Sequence, residues 1–160
     1  MENNLKLLVS FAMVLKVHRR KVFIKRIPCN RGLCPDALTT IDHLKQDYVI
    51  RLKSNRKLLY HNKWTTATEL RNRRKGKVKA DVFYKGKEHT AYLSHVKVQI
   101  TASRKNIYLV LVYGITENPM TLATNKAIRS KDDVIRIDRT YFSRWRIEEY
   151  FRCKKADLSV

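Results

Sequence analysis

The sequence YFSRWRIEEYFRCKK, residues 141–155, predicts a helix that carries a stripe of chemically distinct polar side chains. At about 100° per residue, Arg144, Glu148 and Lys155 all lie within an arc of roughly 60° that starts at Tyr141. A second stripe beside the first is apolar and consists of Ile147, Phe151 and Leu158. The apolar stripe predicts packing against a sheet, which leaves the polar groups along the sheet edge.

Helix geometry alone leaves two interpretations of the polar stripe. Arg144 and Glu148 are four residues apart and can form an ordinary surface ion pair, worth a few tenths of a kcal/mol. Alternatively, a carboxylate in a basic groove can hold a divalent cation, and that cation can contact a phosphate of a nucleic acid.

The residues far upstream of this helix predict a βαβ unit. Short β-branched runs predict strands at 21–27 and 47–52, and apolar residues at 37–44 recur at helical spacing between them. A strand, a helix and a strand within about thirty residues form a βαβ unit, so we expect the two strands to be parallel.

A different pattern follows between residues 58 and 114, where apolar and polar residues alternate. The alternating runs predict antiparallel strands at 78–84, 90–93, 96–100 and 107–113. Charged turns separate these runs, and Gly76 and Gly86 are the expected turn residues. The basic segment Arg71–Lys79 lies either on phosphates or at a solvated hairpin tip.

The C-terminal helix has a recognisable beginning. Residues 120–123 predict one last strand before it. Ser130, followed three residues later by Asp133, resembles a capping box, in which the two residues bond each other's backbone N–H groups. We therefore expect the helix to begin next to Ser130.

The composition favours one folded domain that binds a polyanion. The chain has 160 residues, of which 44% are hydrophobic and 9% aromatic, which excludes a disordered tail. Its 35 Lys and Arg residues against 14 Asp and Glu give a formal net charge of +21. Such a charge repels itself unless a polyanion neutralises it, and DNA or RNA is the usual polyanion.

The cysteine and hydropathy patterns argue against export and against membrane insertion. Three cysteines are an odd number and do not form a disulfide framework, which fits a reducing cytoplasm. Cys29, Cys34 and His43 lack the fourth ligand of a closed structural zinc site, so we expect ordinary thiols. The apolar stretch at 7–15 is too short to span a bilayer and lacks the flanks of a signal peptide.

The pattern Tyr-x2-Arg-x3-Glu-x6-Lys in residues 141–155 resembles the signature of the insertion-sequence type-four transposases, a DDE family. The resemblance extends to Trp145, Ile147 and Phe151 within the same helix. Upstream, PMTLATN at 119–125 resembles the strand that leads into this helix. The segment at 22–56, which contains NRGL and YVIRLKSNR, resembles the one that carries the second catalytic Asp of the family. Together these segments cover most of residues 20–157.

The resemblance implies a mixed α/β fold (α+β). Its expected parts are an incomplete RNase H-like core, a β-rich insertion and a long C-terminal helix. The core βαβ unit with the second-acid turn falls at 20–57, and the insertion falls at 58–114. The final strand and the helix with the third acid fall at 115–158. All three lie in one partial transposase catalytic domain, residues 1–160.

The resemblance also implies a chemistry. In the family, three carboxylates hold two Mg²⁺ or Mn²⁺ ions, which activate water or a 3′-hydroxyl for attack on a DNA phosphodiester. By resemblance, Glu148 is the third acid and a metal ligand. Tyr141, Arg144 and Lys155 are expected to bind phosphates near the transposon end.

Two departures from the family pattern predict impaired catalysis. Asn30 stands where the family has the Asp of an Asp-Arg-Gly turn, and a neutral amide is a poor ligand for Mg²⁺. Asp36 is the nearest carboxylate, but it lies in the next helical turn. No strand with the first acid is visible before Val22, so the leading strands of the core would be missing and a sheet edge exposed. We therefore expect a truncated DNA-binding transposase that does not cleave DNA by itself.

Two other functions fit the same residues. The chain can be a non-catalytic DNA-binding module, such as a transposition inhibitor that occupies transposon ends or pairs with a full-length transposase. It can also be a basic RNA-binding protein unrelated to transposition. We expect transposon-end DNA as the partner, with a second copy or a full-length transposase as a further one. The expected location is the bacterial cytoplasm, associated with the nucleoid and not with a membrane.

Overall fold

The computed structural model describes residues 47–100 and 105–143, and within these segments seven strands form one sheet. Two helices accompany the sheet: α1 (Ala67–Asn72) and α2, which begins at residue 131 and is described to residue 143. The strands are β1 (Val49–Arg51), β2 (Lys57–Tyr60), β3 (Lys63–Thr66), β4 (Val78–Tyr84), β5 (Lys87–Ile100), β6 (Asn106–Tyr113) and β7 (Met120–Thr124).

Strand β5 is the strand around which the sheet is organised. It is 14 residues long and pairs with β6 along one edge. Along its other edge it pairs first with β4 and then, near Ile100, with β2. The strand order is β1-β7-β6-β5-β2-β3, with β4 attached to β5. Every pairing between the described strands is antiparallel.

The central strands β6 and β7 are buried on both faces, and one of the two described helices packs against each face. Successive side chains of a strand point to opposite faces. On one face, Leu109 of β6 belongs to an apolar cluster that includes Leu70 of α1. On the other face, Val110 of β6 belongs to a cluster that includes Val134 and Ile137 of α2. Strand β6 therefore contributes to both halves of the core, which explains its nearly continuous apolar sequence.

The start of α2 has the predicted capping box. The backbone N–H of Asp133 donates to Ser130 Oγ at 3.2 Å, and the N–H of Ser130 donates to Asp133 Oδ2 at 3.2 Å. The N–H of Arg129 donates to the same carboxylate oxygen at 3.1 Å. These hydrogen bonds lower the pKa of Asp133, with the bond from Arg129 as the largest cause. They satisfy backbone N–H groups that have no partner within the helix.

Substitution of the cap is expected to destabilise the fold modestly. In Ser130→Ala the N–H of Asp133 loses its side-chain acceptor, so we expect the free energy of unfolding to fall by about 1 kcal/mol. Urea denaturation followed by circular dichroism measures this change. Ser143→Ala is the matched control, because that hydroxyl donates only to the carbonyl of Thr140 and caps no helix start. Equal stability of the two variants would contradict the role of the cap.

Several of the predicted strands are confirmed, but the predicted break between two of them is wrong. The strands predicted at 78–84, 107–113 and 120–123 are β4, β6 and β7. The strands predicted at 90–93 and 96–100 are instead parts of the single strand β5. Ser94 and His95, which lie between them, pair with Leu111 and Val110 of β6, so the ladder continues without a turn.

The two glycines that were predicted as turn residues have different roles. Gly86 does occupy the tight turn between β4 and β5, where Lys85 and Gly86 have φ of 52° and 77°. Gly76 is not in a hairpin turn, so that prediction is wrong. It lies in the irregular segment between α1 and β4. A Cβ atom at this position would lie 2.5 Å from backbone and side-chain atoms of Tyr92. Glycine is therefore required here because the two backbones lie so close together.

The remaining fold predictions are confirmed only in part. The described segments have the expected mixed α/β character, although the hairpin β2–β3 and helix α1 were not predicted. The predicted strand at 21–27, the helix at 37–44 and the continuation of the C-terminal helix beyond residue 143 lie outside the described residues. The parallel pairing of the βαβ unit therefore stays a prediction. In the described segments, no helix is long and apolar enough to cross a membrane.

Candidate nucleic-acid interface

Helix α2 brings the first residue of the predicted polar stripe to the sheet. Val134, Ile137 and Phe142 are buried in the cluster that joins α2 to the sheet. Their spacing of three and five residues keeps them on one side of the helix. Tyr141 is half-buried and packs against the same cluster. The stripe that follows Tyr141 along the sequence therefore begins at a point held firmly against the sheet.

Aromatic contacts define the position of this helix end. The ring of Phe142 meets the ring of Tyr84 edge-on, with the centroids 5.4 Å apart. It also meets the ring of Tyr141 edge-on, at 5.2 Å. Such pairs contribute about 0.5–1.5 kcal/mol beyond the apolar area that they bury. Because Tyr84 is the last residue of β4, the helix end lies next to the β4–β5 turn.

The β4–β5 turn adds positive charge beside the helix. Lys85 and Lys87 are both exposed and flank Gly86. The Nζ atom of Lys85 lies over the ring of Tyr84, 5.6 Å from its centroid. The contact between Tyr84 and Phe142 therefore brings this turn, with its two exposed lysines, next to the described end of α2.

The other residues predicted for the site lie outside the described residues. Tyr141 is described, but Arg144, Glu148, Lys155 and Asn30 are not. The same holds for the alternatives that the sequence raised: Asp36, Cys29, Cys34 and His43. The arrangement of these side chains in space therefore stays a prediction.

Asp138 is a chemically unusual residue that the sequence pattern did not single out. It lies one turn before Tyr141 and is 0% exposed, and neither of its carboxylate oxygens has a hydrogen-bond partner. Burial raises the pKa of Asp138 to about 7, while the nearby charge of Arg139 lowers it. A signal was present in the sequence, because Asp138 lies four residues from both Val134 and Phe142 and so falls within the apolar stripe of α2.

The described residues contain no group of side chains that could hold two metal ions. Within the segments 47–100 and 105–143, no three His, Cys, Asp or Glu side chains come together as metal ligands. Asp138 is buried and follows Ile137, a member of the apolar cluster, and it is not part of such a group. Of the donors predicted from the sequence, Glu148 offers a carboxylate and Asn30 only an amide oxygen. Divalent Mg²⁺ prefers several charged oxygens, so the amide of Asn30 is a weaker ligand than a carboxylate would be.

The comparison with known families agrees with the resemblance noted in the sequence. Residues 25–159 match the family model described as a transposase DDE domain, which is well over half of the chain. The match includes the described sheet, helix α2 and the signature residues that follow it. No curated protein matches the chain.

Proposed function

Because the chain belongs to the family of transposase DDE domains, we propose that it acts in DNA transposition by binding transposon-end DNA. The observation that carries the proposal is the fixed position of α2 on the sheet. The buried residues Val134, Ile137 and Phe142 hold the helix, and Tyr141 stands at its described end. Family membership implies an RNase H-like core, and we further propose the insertion-sequence type-four group because of the spacing of the signature residues.

The proposed DNA-binding residues are Tyr141, Arg144 and Lys155. An α-helix that continues past residue 143 would bring these three side chains onto one face, beside the apolar stripe. Arg144 can donate two parallel hydrogen bonds to a phosphate, and Lys155 adds a compact positive charge. Glu148 is proposed to lie among them as the third acid of the family and the ligand for a divalent cation.

We propose that this chain does not cleave or join DNA by itself. The reason is Asn30, which by resemblance to the family stands at the position of the second acid and which brings no negative charge. Mg²⁺ or Mn²⁺ would supply activation of the attacking oxygen in a complete site. An amide in place of a carboxylate lowers the negative charge of a site that must hold two divalent ions.

The DNA-binding proposal is tested by substitution of the two cations of the stripe. We expect Arg144→Gln/Lys155→Gln to weaken binding to a transposon-end duplex by about tenfold or more at 0.15 M salt. Loss of two phosphate contacts should also reduce the slope of log K against log salt by about 1.8. Fluorescence anisotropy at several salt concentrations measures both quantities.

Two further results decide this proposal. The control is Lys126→Gln/Lys131→Gln, which removes the same charge near the start of α2. Equal effects of the two double variants would contradict a specific role of the stripe. Tighter binding to single-stranded RNA than to any DNA would favour the alternative of a basic RNA-binding protein.

The catalytic proposal is tested by a strand-cleavage assay with end-containing DNA and Mg²⁺ or Mn²⁺. We expect no nicking by the unsubstituted chain, because Asn30 leaves the donor set short of negative charge. Metal-dependent nicking that disappears in Glu148→Ala would show that the chain is an active nuclease and would overturn this part of the proposal.

A second candidate function follows from Asn30. A chain that binds transposon ends without cleaving them would act as a transposition inhibitor, in the cytoplasm and associated with the nucleoid. Its partner would be a second copy or a full-length transposase. Inhibition of an active transposase by added chain, lost in Arg144→Gln/Lys155→Gln, would support this function.

A further inference from the structure

The segment at residues 71–79, here called the basic segment, connects α1 to β4 and is rich in positive charge. No acidic residue lies between Glu69 and Asp81. Its six cationic residues are Arg71, Arg73, Arg74, Lys75, Lys77 and Lys79. The structure divides these six residues into two groups, of which one points into the protein and the other faces solvent.

Arg71 and Arg74 hold the basic segment to the sheet. Arg71 donates from Nη1 to the carbonyl oxygen of Pro119 at 2.7 Å. Arg74 donates from Nη1 to the carbonyl oxygen of His95 at 3.1 Å and from Nη2 to the hydroxyl of Tyr60 at 2.9 Å. The guanidinium of Arg74 also lies over the Tyr60 ring, 5.7 Å from its centroid.

The hydrogen bond from Arg74 to His95 takes the place of a backbone hydrogen bond that a neighbouring strand would otherwise supply. Along this edge of β5, β4 pairs with residues 87–93 and β2 pairs with residues 99–100. His95 lies between these two pairings, so its carbonyl oxygen needs another donor. Arg74 supplies that donor from its side chain, which ties the basic segment to the gap between the two strands.

Tyr113 fixes the backbone of the same segment. Its hydroxyl lies 2.8 Å from the carbonyl oxygen of Arg71 and 3.0 Å from that of Arg74, as donor to both. Burial raises the pKa of Tyr113, against the opposing charges of Arg71 and Arg74, so the hydroxyl keeps the proton that it donates. Gly76 then lies directly against the backbone of Tyr92. The basic segment is therefore held at several points along its length.

The remaining four cations are exposed to solvent. Arg73, Lys75, Lys77 and Lys79 alternate with residues that face the protein. The N–H of Lys77 donates to the carbonyl of Leu93 at 2.8 Å, which continues the β4–β5 ladder. Lys77 and Lys79 therefore lie on the same face of an extended chain, about 6–7 Å apart.

We propose that the basic segment is a second DNA-binding surface, which contacts the phosphate backbone of duplex DNA through Arg73, Lys75, Lys77 and Lys79. This inference rests on the proposed function and adds a surface that is distinct from the stripe on α2. Duplex DNA suits this surface because the segment exposes four cations and contains no acidic residue. Internal hydrogen bonds already order the backbone, so DNA binding does not have to order it.

Charge removal from the segment is the first test. We expect Arg73→Gln/Lys75→Gln/Lys77→Gln to weaken binding to duplex DNA by tenfold or more at 0.15 M salt. The slope of log K against log salt should fall by about 2.7, because each phosphate contact contributes about 0.9. The matched control is Lys57→Gln/Lys63→Gln/Lys97→Gln, which removes three exposed lysines of the sheet and the same net charge. The control should change the slope by much less.

Removal of one anchor is the second test. Tyr113→Phe keeps every cation but loses the hydroxyl that bonds the carbonyls of Arg71 and Arg74. We expect weaker duplex binding by about threefold to tenfold with an unchanged salt slope, since the same phosphate contacts form from a less ordered segment. A thermal melt of each variant establishes that it is folded at the assay temperature.

The outcomes separate this inference from the proposed function. If both triple variants reduce binding and slope equally, the basic segment is not a specific surface and the inference fails. The proposed function then still stands if Arg144→Gln/Lys155→Gln weakens end binding. If the unsubstituted chain does not bind duplex DNA, both fail together. Preferential binding of RNA through the basic segment would also overturn the inference.

Discussion

Asp138→Asn is expected to stabilise the protein at pH 8, and to do so by about 3 kcal/mol more than at pH 5. The native carboxyl is 0% exposed and has no hydrogen-bond partner for either oxygen. Burial therefore raises its pKa from 3.8 to about 7. The amide has nearly the same shape and never ionises, so it removes the cost of burying a charge. Urea denaturation at the two pH values measures the difference.

The direction of this pH dependence follows from proton binding. Between pH 3.8 and about 7, the folded protein keeps the proton on Asp138 while the unfolded chain has lost it. Stability therefore falls as the pH rises through this range, by about 1.4 kcal/mol per pH unit. Above pH 7 both states are ionised and the contribution of Asp138 no longer changes.

Asp133→Asn provides a control with the opposite sign. The hydrogen bonds at the helix start, with that from Arg129 as the largest cause, lower the pKa of Asp133. Its contribution to stability is therefore present above the unfolded pKa and is lost as the pH falls. The Asp133→Asn variant should be less stable than the unsubstituted chain at pH 8.

The outcome that contradicts the first prediction is also clear. If Asp138→Asn shows the same stability change at pH 5 and pH 8, burial does not raise the pKa of Asp138.

Gly76→Ala is expected to destabilise the protein by about 3 kcal/mol. The added methyl carbon would lie 2.5 Å from the carbonyl carbon, the carbonyl oxygen and the Cβ atom of Tyr92. These atoms cannot move easily, because Tyr92 pairs with Lys79 on one side and with Tyr113 on the other. The basic segment must instead move away from the sheet. For a domain of this size, we expect the melting temperature to fall by about 6–12 °C.

Gly86→Ala separates this clash from the general cost of replacing a glycine. Gly86 has φ of 77°, but a Cβ atom there would have no neighbour within 4 Å. The substitution should cost only about 1 kcal/mol, from the left-handed backbone conformation. Differential scanning calorimetry compares the two variants. A Gly76→Ala protein as stable as Gly86→Ala would contradict the close approach to Tyr92. Weaker DNA binding by folded Gly76→Ala would further support the role of the basic segment.

Local patterns predicted the elements whose signals are contained in short stretches of sequence. The alternation at 78–84 and 107–113 and the pair Ser130 and Asp133 led to the correct strands and helix start. The hairpin β2–β3 was missed because its turn, at His61 and Asn62, contains no glycine although both residues have positive φ. The break expected near Ser94 does not exist because β6 continues the pairing there. Pairing with another strand overrides a weak local signal.

The sequence by itself determined the family, the positive charge and the signature of the C-terminal helix, because each depends only on residue types and their spacing. The assignment of Asn30 to the position of the second acid stays a prediction. Only the tertiary structure decided which cations are available to a partner. Arg71 and Arg74 point inward because Pro119, His95 and Tyr60, all distant in sequence, offer them acceptors. Likewise, the raised pKa of Asp138 arises only because the packing of α2 against the sheet buries its carboxyl.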